Sequence, residues 1–167
     1  EEGEAALARC DLSTGQFTAL PFRGKDHLTH LLNALGACPP SEAILSADAA
    51  ADGQLTQFLR DRLGCLCQGS SQERFQPGQA FQALAGLRML DEDGRALMDE
   101  GPLRASYLAA GALAGYLRDT QKTDLSHLSR LAIDEARSQR YLELDLTARR
   151  TLELTETIRG GEKKGSL

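Results

Sequence analysis

The sequence lacks a basic excess, and this absence limits the ways in which it could bind nucleic acid. Its 167 residues include 24 acidic and 19 lysine or arginine side chains, which gives a formal net charge of −5. A free-standing nucleic-acid-binding domain usually concentrates lysine and arginine on one face. We therefore expect any contact with nucleic acid to come from a small local patch or from other parts of a larger protein.

The sequence also lacks a signal peptide and a long apolar segment, so we expect a cytoplasmic protein that does not enter a membrane. Cysteine is scarce. Cys65 and Cys67 are separated by one residue, whereas the ligands of a zinc knuckle are usually separated by about two to four. On a strand the two side chains would share a face. We interpret the cysteines, including Cys10 and Cys38, as small buried side chains in a reducing compartment.

Known catalytic motifs are absent too: there is no P-loop, no Gly-x-Ser-x-Gly and no Gly-x-Gly-x-x-Gly. His27 and His30 lie three apart on a predicted helix, with no further metal ligand nearby in sequence. We expect both histidines to face solvent. The sequence therefore predicts neither a catalytic nor a metal site.

The N-terminal part of the chain predicts a β-hairpin followed by a helix. Two strand-like runs, residues 5–12 and 16–20, flank a short turn that ends at Gly15, where a positive φ is readily adopted. Asp26 is a candidate helix cap. The helix after it carries an amphipathic stripe formed by Leu28, Leu31, Leu32 and Leu35.

The next part alternates strands and helices. Residues 43–45 and 65–67 are short strand candidates, and the helix between them begins at Asp52. Another helix follows Pro77. This order predicts an α/β fold in which a parallel pair of strands lies next to the antiparallel hairpin, in a mixed sheet covered by helices.

A long apolar helix is predicted from residue 102 to about residue 122. Pro102 suits its first turn, and Gly111 and Gly115 lie four apart on one side. Each glycine costs about 1 kcal/mol of helix propensity relative to alanine, so close packing is a reason for both. We expect them to set the packing of this helix on the sheet.

Three stretches of the sequence resemble the MutS family. Residues 109–117 (AAGALAGYL) are followed by Thr-Gln-Lys at 120–122. Residues 142–145 (LELD) are followed by 149–154 (RRTLEL), 159–161 (RGG) and 164–167 (KGSL). Residues 11–17 (DLSTGQF) resemble the family's connector hairpin. Order and spacing agree over nearly the whole chain.

The resemblance implies a ribonuclease H-like connector domain without nuclease chemistry over residues 1–124. It implies the beginning of a mainly helical core, or lever, domain over residues 125–167. The chain would be an internal fragment of a longer, homodimeric mismatch-recognition ATPase, and its abrupt ends agree with this expectation. The full-length protein would bind mismatched duplex DNA, the MutL partner, ATP and Mg²⁺. No cofactor is expected in this fragment.

Two sets of contact residues are candidates. By the resemblance, the MutL surface would lie at the helix after Pro77, at Gln79, Gln82 and Ala83. Arg149 and Arg150 form the main basic cluster, and either contact DNA or another domain or form ion pairs at helical spacing with Asp145 and Glu153.

A metal-dependent ribonuclease H-like nuclease is the alternative function. Asp11 lies near the end of a strand, and clustered carboxylates at such positions hold two Mg²⁺ ions in these nucleases. Glu42, Asp48 and Asp52 are the candidate partners. Asp11 is equally suited to bracing the hairpin turn. The distances among the carboxylates distinguish the two hypotheses.

Overall fold

The computed structural model describes residues 3–69, 72–128 and 130–137. Within these residues the longer elements are strands β1 (Glu4–Asp11) and β2 (Gln16–Arg23) and helices α1 (His27–Ala37), α4 (Pro77–Gly86) and α5 (Arg104–Thr120). The shorter ones are β3 (Glu42–Ile44), α2 (Ala47–Ala51), α3 (Gly53–Gln57), β4 (Leu66–Gln68) and β5 (Leu131–Ile133). A π-helical turn, Phe58–Arg62, follows α3, and 3-10 helices span Gln72–Phe75 and Glu92–Met98.

Strands β1 and β2 form the predicted hairpin. The carboxylate of Asp11 braces the turn, because its Oδ1 accepts hydrogen bonds from the backbone N–H of Ser13 at 3.0 Å and the Ser13 hydroxyl at 2.6 Å. These bonds lower the pKa of Asp11. Gly15 closes the turn with a φ of +74°, a conformation that glycine adopts without strain.

Strand β5 adds to the other edge of β2 in parallel, giving a mixed sheet of order β1-β2-β5. The pairing ends at Ala19, whose carbonyl accepts a hydrogen bond from the N–H of Asp134 at 2.9 Å. Pro21 is the next residue of β2 on that side, and proline has no N–H to offer a neighbouring strand. Strand β5 lies in the segment after residue 125 for which the resemblance implies a mainly helical domain, and no signal in the sequence indicated it.

The two faces of the hairpin are covered by different helices. Side chains alternate along a strand, so Phe17 and Ala19 point to one face of β2, and Leu20 and Phe22 point to the other. The first pair belongs to a buried cluster with α4 and α5, and the second to a cluster with α1 and the segment after Asp52. The result is three layers, with the sheet in the middle.

Strands β3 and β4 are parallel, as predicted, but they form a two-stranded sheet of their own. The mixed character of the main sheet comes from β5 instead. A side-chain contact spans the gap between β1 and the chain before β3, where Nη2 of Arg9 donates to the carbonyl of Cys38 at 3.3 Å. The α/β class is confirmed, whereas the ribonuclease H-like assignment stays a prediction.

The helix caps agree with the sequence at one of two predicted positions. Asp52 caps α3, where its Oδ1 accepts from the N–H of Leu55 at 2.8 Å. Asp26 occupies the corresponding position of α1, but its side chain makes no capping hydrogen bond. Its backbone φ and ψ, −98° and 16°, are not the extended values that bring a side-chain oxygen back to the first N–H groups.

One of the predicted solvent-facing histidines is buried. The buried face of α1 consists of His30, Leu31, Ala34 and Leu35, so it is rotated towards His30 and away from Leu28 and Leu32. The expectation that His30 faces solvent was therefore wrong. His27 is half-buried, and its Nδ1 lies 2.9 Å from the carbonyl oxygen of Gly24.

Helix α5 confirms the long helix expected over residues 102–122 and contacts both β1 and β2. Among the described residues, no helix has the length and apolarity needed to cross a membrane.

Candidate docking face on helices α4 and α5

Helices α4 and α5 approach each other so closely that one position of α5 has no room for a side chain. A Cβ atom at Gly111 would lie 2.4 Å from the Cβ and 2.7 Å from the carbonyl oxygen of Ala80. Real Cβ atoms do not come this near to other heavy atoms. Gly111 therefore sets the distance between the two helices, and its neighbour is α4, not the sheet that the sequence analysis named.

Gly115 lies one turn further along α5 and is less constrained. A Cβ atom there would lie 3.7 Å from the Cβ of Ala83, which is an ordinary van der Waals contact. The contact with α4 thus loosens along α5, from Gly111 towards Gly115.

A shallow groove lies between the two helices, and we call it the α4/α5 groove. Gly111 and Gly115 contribute to its lining. The other residues that line the groove are Arg74, Gln79, Gln82, Ala83, Arg118 and Asp119. The three candidate partner-binding residues therefore lie together: Gln79 and Gln82 are exposed, while Ala83 is buried at 6% exposure and offers little of its own surface.

Arg74 links the 3-10 helix Gln72–Phe75 to α5. Its Nη2 forms an ion pair with Oδ2 of Asp119 at 3.0 Å, and its guanidinium lies over the ring of Tyr116, 5.5 Å from the centroid. The Nη1 atom of the same guanidinium is buried and has no hydrogen-bond partner among the described residues. Arg74 is held in place by α5 and still has unused donors.

Tyr116 extends this contact to the second sheet. Its hydroxyl donates a hydrogen bond to Glu42 of β3. This bond, together with a small desolvation and the negative charge of Glu42, raises the pKa of Tyr116 above its usual value. Helix α5 is therefore attached to β3 as well as to α4 and the main sheet.

Arg118 is the second arginine of the groove. A Cβ atom at Gly86, near the end of α4, would lie 2.9 Å from its Nη1, so the guanidinium reaches across from α5 to α4. The side chain forms no ion pair and no hydrogen bond within the described ranges. Its positive charge therefore has no partner there.

Three of the four carboxylates proposed for a nuclease site are separately engaged, and the fourth, Asp48, is exposed in the first turn of α2. Asp11 braces the hairpin turn, Asp52 caps α3 and Glu42 accepts from Tyr116. No three Asp, Glu, His or Cys side chains are arranged to hold a metal ion in the part of the chain that the structure describes. The nuclease alternative has no support from this geometry.

Two of the four cysteines, Cys10 and Cys65, have the environment of unreactive thiols, whereas Cys38 is exposed, so the expectation that Cys38 is buried was wrong. All four are free, and Cys65 is buried while Cys10 is half-buried. Burial is the main cause that raises the pKa of Cys10 to about 11, and the charge of Asp11 adds to it. Burial also raises the pKa of Cys65. Neither thiol is activated as a nucleophile.

Arg149 and Arg150 lie outside the described residues, as do their candidate ion-pair partners Asp145 and Glu153. Sequence reasoning did not single out Arg74, Tyr116, Arg118 or Asp119. The signal for Arg118 and Asp119 was their place next to the last apolar turn of α5, on the same helix as the two glycines. Arg74 comes from a distant segment and carried no signal in its own neighbourhood.

Comparisons with known proteins place the chain in one family context. The family model described as MutS domain II matches residues 1–129. The chain is similar to the DNA mismatch repair protein MutS of Ruminiclostridium cellulolyticum, with 32% identity over 164 residues, and of Symbiobacterium thermophilum, with 34% over 165 residues. The protein of the same name from Myxococcus xanthus is 31% identical over 162 residues.

These matches cover nearly all of the chain but a minor part of each relative. They include 96% of the chain in all three cases, against 18% of the first two relatives and 17% of the third. The chain therefore spans less than a fifth of the length of the relatives that it matches.

Proposed function

The chain belongs to the MutS family, and from this premise we propose that it is the connector of a DNA mismatch repair protein, linking a mismatch-recognition domain to an ATPase domain. The match of the domain II model to residues 1–129 is the observation that carries the proposal. We also assign it the ribonuclease H-like connector fold, ending near residue 124, with the core domain beginning at residue 125.

The attachment of α5 supports a mechanical role. This helix has 17 residues, which corresponds to a length of about 25 Å. It is held by the sheet, by α4 through Gly111 and by β3 through Tyr116. A helix fixed along its length moves as a unit with the layers beneath it, so a displacement at one end is transmitted to the other.

The α4/α5 groove is the surface that we assign to the MutL partner. Gln79 and Gln82 project from the exposed side of α4, and glutamine amides can both donate and accept hydrogen bonds. The underlying helix pair is locked by the Gly111–Ala80 contact, so the surface is rigid before a partner arrives.

Other properties of the whole protein follow from the family resemblance alone. We propose that the full-length protein is a cytoplasmic homodimer that binds mismatched duplex DNA and uses ATP with Mg²⁺. We assign these activities to parts of the protein other than this connector, which would couple them.

Partner binding by the full-length protein tests the docking surface. A Gln79→Arg/Gln82→Arg double variant places two long charged side chains on the exposed side of α4. We expect its Kd for MutL to rise at least about tenfold, as for other disrupted interface centres. Gln54→Arg, on an exposed position of α3, is the matched control and should bind MutL normally. Unchanged MutL binding by the double variant would remove the α4/α5 groove from the proposal.

A further inference from the structure

Two guanidinium groups in the α4/α5 groove have hydrogen-bond donors that the described residues leave unused. Arg74 pairs through Nη2 with Asp119, but its Nη1 is buried without a partner. Arg118 forms no ion pair or hydrogen bond in the described ranges. An arginine carries five N–H donors in a planar fork, and the fork of Arg118 is exposed and open to an approaching group, whereas the buried Nη1 of Arg74 is not.

We propose that the α4/α5 groove binds a carboxylate side chain, an Asp or Glu of the partner protein, through the exposed fork of Arg118, with the positive charge of Arg74 beside it. The inference rests on the proposed docking of MutL on this face and adds the chemistry by which the partner is recognised. An arginine fork matches the two oxygens of a carboxylate and forms short, charge-assisted hydrogen bonds with them. Gln79 and Gln82 lie beside the arginines and are placed to bond the polypeptide around the carboxylate.

The charge of the groove favours one carboxylate over a nucleic-acid backbone. Arg74 and Arg118 contribute two positive charges and Asp119 one negative charge, which leaves a single net positive charge. A phosphate backbone presents successive negative charges and is usually bound by a wider array of basic residues. The acidic chain as a whole, with a net charge of −5, also repels such a backbone.

The position of Arg118 suits a recognition role but also allows a structural one. Its guanidinium lies near Gly86 at the end of α4, where a positive charge is favoured by the helix dipole. A purely structural role predicts a loss of stability when the charge is removed. A recognition role predicts a loss of partner affinity at unchanged stability.

The test uses the full-length protein, MutL, and the variant Arg118→Gln, which removes the charge and keeps a polar side chain. We expect the Kd for MutL to rise about tenfold, since hydrogen bonds to charged groups are the stronger ones. The affinity should also depend less steeply on salt. Arg118→Lys, which keeps the charge but loses the fork, should bind with intermediate affinity. Arg60→Gln, at an exposed arginine outside the groove, is the matched control and should bind normally.

Each other outcome overturns the inference in a recognisable way. If the Gln79→Arg/Gln82→Arg variant loses MutL but Arg118→Gln does not, the docking surface stands and the carboxylate contact is wrong. If neither variant loses MutL, both proposals fail. If Arg118→Gln instead weakens binding of a fluorescein-labelled mismatched duplex and leaves MutL binding intact, the groove contacts phosphate. If Arg118→Gln lowers the Tm and Arg118→Lys restores it together with full affinity, the arginine is structural.

Discussion

The two faces of the central hairpin are packed by different means. One face is covered by α4 and α5, and we call it the α4/α5 face. There the two helices meet through small residues, with Gly111 against Ala80 and Gly115 near Ala83. On the opposite face, which is covered by α1, α3 and the π-helical turn and which we call the α1/α3 face, leucine predominates among the buried side chains of the covering elements: Leu31, Leu35, Leu55 and Leu59. The α4/α5 face buries large side chains too, among them Phe81, Leu84 and Met98, but its two helices meet at a position where side-chain atoms are absent.

The two kinds of packing have different consequences, one for the distance between helices and the other for the stability of the fold. Backbones that meet through glycine and alanine have one fitting distance, because interiors are close-packed and a single added atom is felt. Leucine side chains bury more apolar area, and their packing adjusts to changes of similar volume. The contact between α4 and α5 therefore fixes geometry, which suits a docking surface, while the leucine packing on the α1/α3 face contributes stability.

The largest effect is expected from Gly111→Leu. Its Cβ alone would overlap Ala80, so α5 must separate from α4. We expect the free energy of unfolding to fall by roughly 3–5 kcal/mol, at or above the upper end of overpacking effects, and MutL binding to weaken. Urea denaturation and partner affinity of the full-length protein measure both.

Gly115→Ala is the matched control on the same helix. The added Cβ makes an ordinary contact at 3.7 Å, and alanine improves helix propensity by up to about 1 kcal/mol, so this variant should be neutral or slightly more stable. An unchanged Tm and unchanged MutL binding in Gly111→Leu would contradict the fixed distance between the helices.

On the α1/α3 face, Leu59→Ala removes atoms where Gly111→Leu adds them. Leu59 is 1% exposed, so the truncation leaves a cavity and should lower the free energy of unfolding by roughly 3 kcal/mol. Because the substitution lowers stability and leaves the α4/α5 groove unchanged, MutL affinity at a temperature where the variant is folded should remain that of the wild type. A loss of affinity comparable to that of Gly111→Leu would show that the two faces do not have separate roles.

A smaller effect is expected at the start of α3. Asp52→Ala removes the oxygen that accepts from the N–H of Leu55, and loss of such a cap costs about 1 kcal/mol. Asp26→Ala is a useful control, because Asp26 occupies the same position of α1 without a capping bond and should have little effect. Thermal unfolding of the two variants would show whether the difference in hydrogen bonding matters. Equal Tm values would contradict it.

The smallest expected effect concerns the reactivity of two thiols, one from each face. Cys10 packs against the α4/α5 cluster and Cys65 belongs to the α1/α3 cluster, and burial raises the pKa of both. With a pKa of about 11, roughly one Cys10 thiol in a thousand is ionised at pH 8. Both should react with iodoacetamide much more slowly than the exposed Cys38, and the rate at Cys10 should rise as the pH approaches 11. Mass spectrometry locates the adducts. Fast labelling of Cys10 at pH 8 would show that solvent reaches this thiol and would contradict its burial in the α4/α5 cluster.

Much of the fold could be predicted because its signals are local. The hairpin is specified by the turn at residues 11–15, α3 by Asp52, α4 by Pro77 at its first turn and α5 by its apolar periodicity. In each case the residues that form the element also mark its boundary.

The elements that were missed depend on contacts between distant segments. Strand β5 has three residues, and its pairing with β2 crosses most of the chain. The burial of His30 reflects how α1 is rotated on the sheet, which the leucine stripe alone does not specify. In the candidate site, the glycines and Gln79, Gln82 and Ala83 were named from sequence, whereas the Arg74–Asp119 pair joins segments that only the fold brings together.

Amide hydrogen exchange of the full-length protein, with and without MutL, tests the central claim most directly, namely that the α4/α5 face is the rigid docking surface and the α1/α3 face is not. We predict that MutL slows exchange in α4 and in the second half of α5 and leaves α1 unchanged. Protection that appears in α1, or that is missing from α4 while MutL is bound, would contradict the account.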